Sequence, residues 1–171
     1  AALAAGLGRD WPDARGAVLA GGGADVAAWV NEEDHLRIRV QRRGGALREA
    51  FARAFEVTDA VQLALEGEGS GFAEDERLGC VTVDPAHVGG GLRCALLLQL
   101  PCLGARTVLP DLGAALGVNI ASSRGAWEIS SASSLGMSEV QVAGAVLRAS
   151  ARLAELEAQA ADGGDLEALL R

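Results

Sequence analysis

Ala28-Trp29-Val30-Asn31-Glu32-Glu33-Asp34-His35-Leu36-Arg37-Ile38-Arg39-Val40 carries the plan of the chain. An apolar run stops at Val30, and an asparagine and three consecutive acids follow. Then Leu36, Ile38 and Val40 alternate with Arg37, Arg39 and Gln41. Alternation with a period of two places apolar and polar side chains on opposite faces, the mark of a half-buried strand. Three acids between two apolar strands are costly to bury unless paired. The acidic run therefore reads either as a solvated turn or as a carboxylate site that orients a cationic group, with Arg37 turned to an anion.

Working outward, residues 15–20 and 25–31 read as strands joined by Gly21-Gly22-Gly23. Residues 1–14 read as an Ala-rich turn of helix running into the turn marked by Pro12. Gly44-Gly45 ends the third strand. Leu47, Phe51, Ala54, Phe55, Val61 and Leu65 then recur at helical spacing over 46–66. After a Gly- and acid-rich loop, 78–83 reads as a strand and 85–91 as a glycine-bearing turn. Residues 92–100 form a strand, expected to be central because both of its faces are apolar. A short helix over 107–116 carries Pro110 in its first turn, and 118–123 and 126–131 are strands around Arg124-Gly125. Ser138 and Gln141 make a capping box for a last long helix with Val142, Val146, Ala149, Leu153 and Leu156 as its stripe, and Gly163-Gly164 precedes a tail helix over 165–170. The tight early connections favour an antiparallel sheet flanked by helices, an α+β single domain without an internal repeat or linker.

The 171 residues are 50% hydrophobic and 22% charged, a globular composition, and no apolar run approaches the ~20 residues of a membrane span. The net charge of −8 argues against nucleic acid as a partner, since that requires a basic surface. All fifteen basic residues are arginine, so any anion site is built from arginine. Three cysteines without CxxC spacing and two histidines, His35 and His87, disfavour a disulfide framework or a metal site. A reducing intracellular compartment, the cytoplasm, is expected. No secretory leader opens the sequence, and the start at Ala1 leads to the expectation of a segment of a longer protein.

The run from Trp29 to Arg37 resembles the signature stretch of the phosphagen (ATP:guanidino) kinases. Gly8-Arg9-Asp10-Trp11-Pro12-Asp13-Ala14-Arg15-Gly16 is most similar to the start of the C-terminal catalytic domain of the creatine kinases within that family. Leu78-Gly79, Gly89, Gly91-Leu92-Arg93 and Leu100 resemble the family's central hairpin, and Ser130, Leu135-Gly136 and Ser138-Glu139-Val140 its late strand and final helix. The resemblance implies the family's antiparallel sheet flanked by helices and reversible transfer of the γ-phosphoryl group of MgATP to a guanidino nitrogen. It implies Glu33 as the substrate-orienting carboxylate, with Glu32, Asp34 and Trp29 on the substrate side. Arg37 and Arg93 are implied as nucleotide-phosphate arginines, and Arg9 and Trp11 as parts of a dimer interface.

The departures from the family carry equal weight. Asp84, before Pro85, stands where the family has its reactive cysteine, keeping the charge without the thiolate. The segment between Leu116 and Trp127 is too short for the family's mobile closing loop. The phosphate arginine of that loop aligns either with Asn119, and is lost, or with Arg124, and is kept. The family's helical N-terminal domain is absent from the sequence. These departures lead to the expectation of a pseudo-enzyme that serves as a homodimerisation or protein-interaction module, with MgATP or MgADP bound only if the nucleotide site survives, and with no metal site or membrane partner; the alternatives are an ATP:guanidino phosphotransferase of the creatine or arginine kinase type, or a residual nucleotide binder.

Overall fold

The computed structural model describes residues 16–20, 25–31, 33–105 and 109–163, with side chains throughout except at 17–20. The expectations for residues 1–15 (Arg9 and Trp11 among them), for the glycine connection after Ala20, for Glu32 and for the tail helix over 165–170 lie outside the described residues. The chain falls into two compact units, Ala1–Ala73 and Glu74–Arg171.

In the first unit, β1 (Gly16–Ala20), β2 (Val26–Val30) and β3 (Leu36–Val40) form an antiparallel meander in that order. The register pairs Gly16 with Val30, Val30 with Leu36 and Trp29 with Arg37. The expected alternation holds along β3: Leu36, Ile38 and Val40 are half-buried while Arg37 and Arg39 are exposed. The Gln41 amide donates to the Asp25 carbonyl at 2.8 Å, and Arg42 is ion-paired to Asp25, which fixes the register at the far end. The helix α1 (Leu47–Gly67) packs against β3 and carries Phe51 and Phe55 in ring contact, their centroids 4.7 Å apart.

The second unit opens with the two-residue strands β4 (Glu74–Asp75) and β5 (Gly79–Cys80). The strand expected over 78–83 is thus a correction: only Gly79 and Cys80 are paired. The reason lies in the backbone. Gly79 (φ +76°) and Gly89 (φ +110°) pass so close that a Cβ on Gly79 would stand 2.6 Å from the Gly89 carbonyl oxygen. Cys80 exchanges backbone hydrogen bonds with Gly89 at 2.8 and 3.1 Å, which bends the chain back before the ladder extends. Both glycines are required, because an L side chain strains at these angles and has no space here.

The main sheet of this unit joins β6 (Ala95–Leu98), β8 (Ala126–Ser131) and β7 (Val118–Ser123) in the order β6-β8-β7. The expectation of a central strand over 92–100 is corrected as well: among the described residues β6 is at the edge, and β8 is central. Apolar residues on both faces report what lies above and below a sheet, not which strands flank it. Even that coverage is one-sided, since Leu97 is 53% exposed while Leu96 lies opposite fully buried Ile129.

The helix α4 (Glu139–Ala161) packs on the inner face of this sheet, with the short helices α2 (Pro101–Gly104) and α3 (Leu109–Leu116) beside it. Ser138 and Gln141 form the expected capping box, and the whole expected stripe from Val142 to Leu156 is buried. Leu103, Leu109, Val118 and Ile129 complete the core. The unexpected α2 begins at Pro101 without a capping side chain of its own. The Glu157 carboxylate of α4 supplies one, accepting the Cys102 and Leu103 amides at 2.7 and 2.9 Å. A cap from 55 residues away has no local sequence signal.

Candidate functional site

The acidic stretch is the turn of the β2–β3 hairpin. Asn31 takes a positive φ of 53°, and its amide donates to the His35 carbonyl at 2.9 Å, closing the turn. Asparagine tolerates this left-handed conformation better than most residues. Its side-chain oxygen also lies 3.3 Å from His35 Nδ1. Asn31 and His35 therefore serve the turn. The hairpin leaves Glu33 exposed, Asp34 half-buried, Trp29 half-buried and Arg37 exposed opposite Trp29. Trp29, Glu33, Asp34 and Arg37 thus gather at one end of a single hairpin.

The remaining candidates belong to the second unit. Asp84 is exposed and caps the 3-10 turn Pro85–His87: one carboxylate oxygen accepts the Ala86 amide at 2.9 Å, and the other lies 3.6 Å from His87 Nδ1. Its charge is tied to its own backbone. Just beyond, fully buried Ser134 donates its hydroxyl to the Val88 carbonyl at 3.0 Å and anchors this loop. Two free thiols, Cys80 and Cys94, belong to the same unit. Burial, reinforced by Glu74 and Glu139, raises the pKa of Cys80 above its ordinary value. Burial does the same at Cys94, against an opposing effect of Arg93. A thiol held protonated is a poor nucleophile.

Arg93 is ion-paired through its terminal guanidinium nitrogen to Glu128. Sequence reading passed over Glu128. The available signal is a lone acid in a strand between Trp127 and Ile129, which calls for a cationic partner. Arg124 sits with Gly125 in the turn joining β7 to β8. Their φ values of 51° and 80°, and the pairing of Ser123 with Ala126, describe a two-residue type I′ hairpin. Every residue from Leu116 to Trp127 is thus accounted for by a helix end, two strands and a tight turn. Asn119 points its amide back to the Ser131 carbonyl at 3.4 Å within the sheet. Among the described residues no group of three histidine, cysteine, aspartate or glutamate side chains could hold a metal ion. No described helix is long and apolar enough to cross a membrane.

Residues 1–160 match the model of the ATP:guanido phosphotransferase C-terminal catalytic domain. The chain belongs to this family. It is 31% identical to the testis isozyme of creatine kinase from Oncorhynchus mykiss over 98% of its own length and 46% of that protein. It is 33% identical to the M-type creatine kinase of Tetronarce californica over the same shares. The guanidino-kinase fold is also seen in three dimensions. A lombricine kinase structure superposes with a TM-score of 0.86 at 27% identity, over 95% of this chain and 47% of that one. The duplicated taurocyamine kinase of Schistosoma mansoni follows at 0.74 and 28%, over 88% of this chain and 21% of that one. The chain spans about half the length of the curated relatives it matches. It is a guanidino-phosphotransferase-like catalytic domain, of a family whose members are ATP-dependent kinases.

Proposed function

We propose that this guanidino-kinase domain has lost phosphoryl transfer and serves as a dimerisation or protein-interaction module. The observation that carries the proposal is the two-residue β7–β8 turn at Arg124-Gly125. A closing loop excludes water and completes a constellation of catalytic groups around the substrates, and a two-residue turn can do neither. Asp84 adds support, because its carboxylate is engaged in capping where the family resemblance implies a thiolate. Phosphoryl transfer rests on positioning and charge stabilisation, and a misplaced group costs ~100-fold in rate.

The residues that would perform the ancestral reaction follow from the resemblance. Glu33 would orient a guanidinium, flanked by Trp29, Glu32 and Asp34, while Arg37, Arg93 and Arg124 would meet nucleotide phosphates. Arginine suits that task because its planar fork donates paired hydrogen bonds to phosphate oxygens. With MgATP as substrate, the chemistry of Arg93 fits an anion, although its guanidinium faces Glu128. Arg9 and Trp11 would supply a partner surface, an aromatic anchor with a charged rim, in an intracellular homodimer or protein complex. The net charge of −8 supports a protein partner over nucleic acid.

Phosphoryl-transfer assays with MgATP and creatine, lombricine, taurocyamine or arginine are expected to give no turnover above blank. Turnover abolished by Glu33→Gln overturns the loss of activity. Sedimentation tests the module: wild type is expected to self-associate and Trp11→Ala to remain a folded monomer. A wild-type chain that stays monomeric at high concentration removes the homodimer.

A further inference from the structure

The helix α4 carries two apolar faces. Val142, Val146, Ala149, Leu153 and Leu156 are buried on the side that packs against the sheet of the second unit. On the opposite side, Val140, Gly144, Leu147, Ala151, Ala154 and Ala158 recur at alternating steps of four and three, the spacing of a coiled-coil seam. Val140 is 72% and Leu147 46% exposed, and the three alanines are exposed as well. The solvent side of a helix is ordinarily charged, yet this seam holds no charge over about five turns. Arg148, Arg152 and Glu155 lie along one flank of it. Arg152 is paired with Glu155 at 3.2 Å within the helix. Arg148 lies over Gly144 and has no acidic partner among the described residues.

We propose that this seam is a contact with a second copy of the chain, made by two α4 helices lying antiparallel about a two-fold axis at Ala151 and Arg152. The proposal rests on the reading of the domain as a self-associating module and assigns it a surface. Charge selects the occupant. Arg148 and Glu155 lie one heptad apart on the same flank with opposite sign. An axis midway between them sets Arg148 of each copy beside Glu155 of the other, which makes two ion pairs, whereas a parallel pairing sets like charge on like. The Arg152–Glu155 pair is 44% and 63% exposed, so it releases Glu155 at little cost. Side-chain size agrees. The same axis brings Leu147 between Ala154 and Ala158 of the second copy, where two methyl groups leave a hole for the larger knob. Glycine and alanine along the rest of the seam let the helices approach to ~8 Å, the near end of helix spacing. A surface that matches itself in charge and in shape fits an isologous dimer. One helix pair is small beside the ~1,200 Å² that a stable interface buries, so the seam contributes to self-association without carrying it alone, and Trp11 keeps its expected part.

Sedimentation equilibrium of wild type, Leu147→Glu, Arg148→Glu and the exchanged double variant Arg148→Glu/Glu155→Arg tests this. All three positions are exposed, and thermal melts confirm that each variant is folded. Leu147→Glu puts a charge into both holes and is expected to weaken self-association on the order of a hundredfold. Arg148→Glu turns two attractions into two repulsions and is expected to weaken it on the order of tenfold. The exchanged variant is expected to restore the wild-type constant, because the pairs form again with their signs reversed. Variants that all associate as tightly as wild type overturn the seam and leave the module reading standing. A loss in Arg148→Glu that the exchange does not restore overturns the two-fold pairing. A wild-type chain that stays monomeric overturns the seam together with self-association.

Discussion

The two units hold their shape by different means. Among the described residues, the buried apolar side chains of the first unit are Val26 and Ala27, and α1 contributes none. The second unit packs Leu103, Leu109, Ile129, Val146, Leu153 and Leu156 to 1% exposure or less. The first unit relies on strand register, with Val30 on Leu36, Trp29 on Arg37 and the Asp25–Arg42 pair. The second relies on a helix laid across a sheet. The candidate carboxylates sit on the hairpin, and Arg93, Arg124 and Asp84 on the packed unit. A hairpin turn tolerates charge because its side chains meet solvent. In the packed unit half-buried Glu128 and Glu157 are paired, with Arg93 and with the α2 amides, while Arg124 and Asp84 stay exposed.

If packing sustains the second unit, Leu153→Ala should cost about 2–5 kcal/mol, since it empties a fully buried site under α4. Chemical denaturation measures this, and a loss below about 1 kcal/mol would break the contrast. Gly89→Ala should come next, at about 1–3 kcal/mol from backbone strain. Its new Cβ would also stand 2.7 Å from the Ser134 carbonyl oxygen. The same denaturation curves read the effect, and an unchanged midpoint would mean that the loop carrying Asp84 is not held by this close approach. The smallest effect should belong to Leu63→Ala on α1, where the side chain is 72% exposed. The change should stay within about 0.5 kcal/mol. A large loss there would reveal a burial of α1 that the described residues do not account for.

Much of this architecture was legible in the sequence. The period-two alternation of β3, the stripe of α4 and its Ser138–Gln141 box are local signals, and all three stand in the structure. The family was legible too, because the run from Trp29 to Arg37 and the later blocks match it in order. The misses share a cause. The strand over 78–83 shrank to Gly79 and Cys80 because Gly89 crosses it, and β6 became an edge because strand neighbours are chosen by the whole chain. The helix α2 went unseen because its cap is Glu157.

By itself, the sequence determined most of the elements, the acidic hairpin turn, arginine in place of lysine throughout and the membership in a guanidino-kinase family. Each of these follows from spacing or residue type over a few neighbouring positions. Only the tertiary structure decided that Asp84 spends a carboxylate oxygen on its own cap and that Arg93 is bound to Glu128, 35 residues away. Such pairings depend on register and on distances through space. A side chain's partner is set by what the fold brings within hydrogen-bonding reach, and no local pattern encodes that.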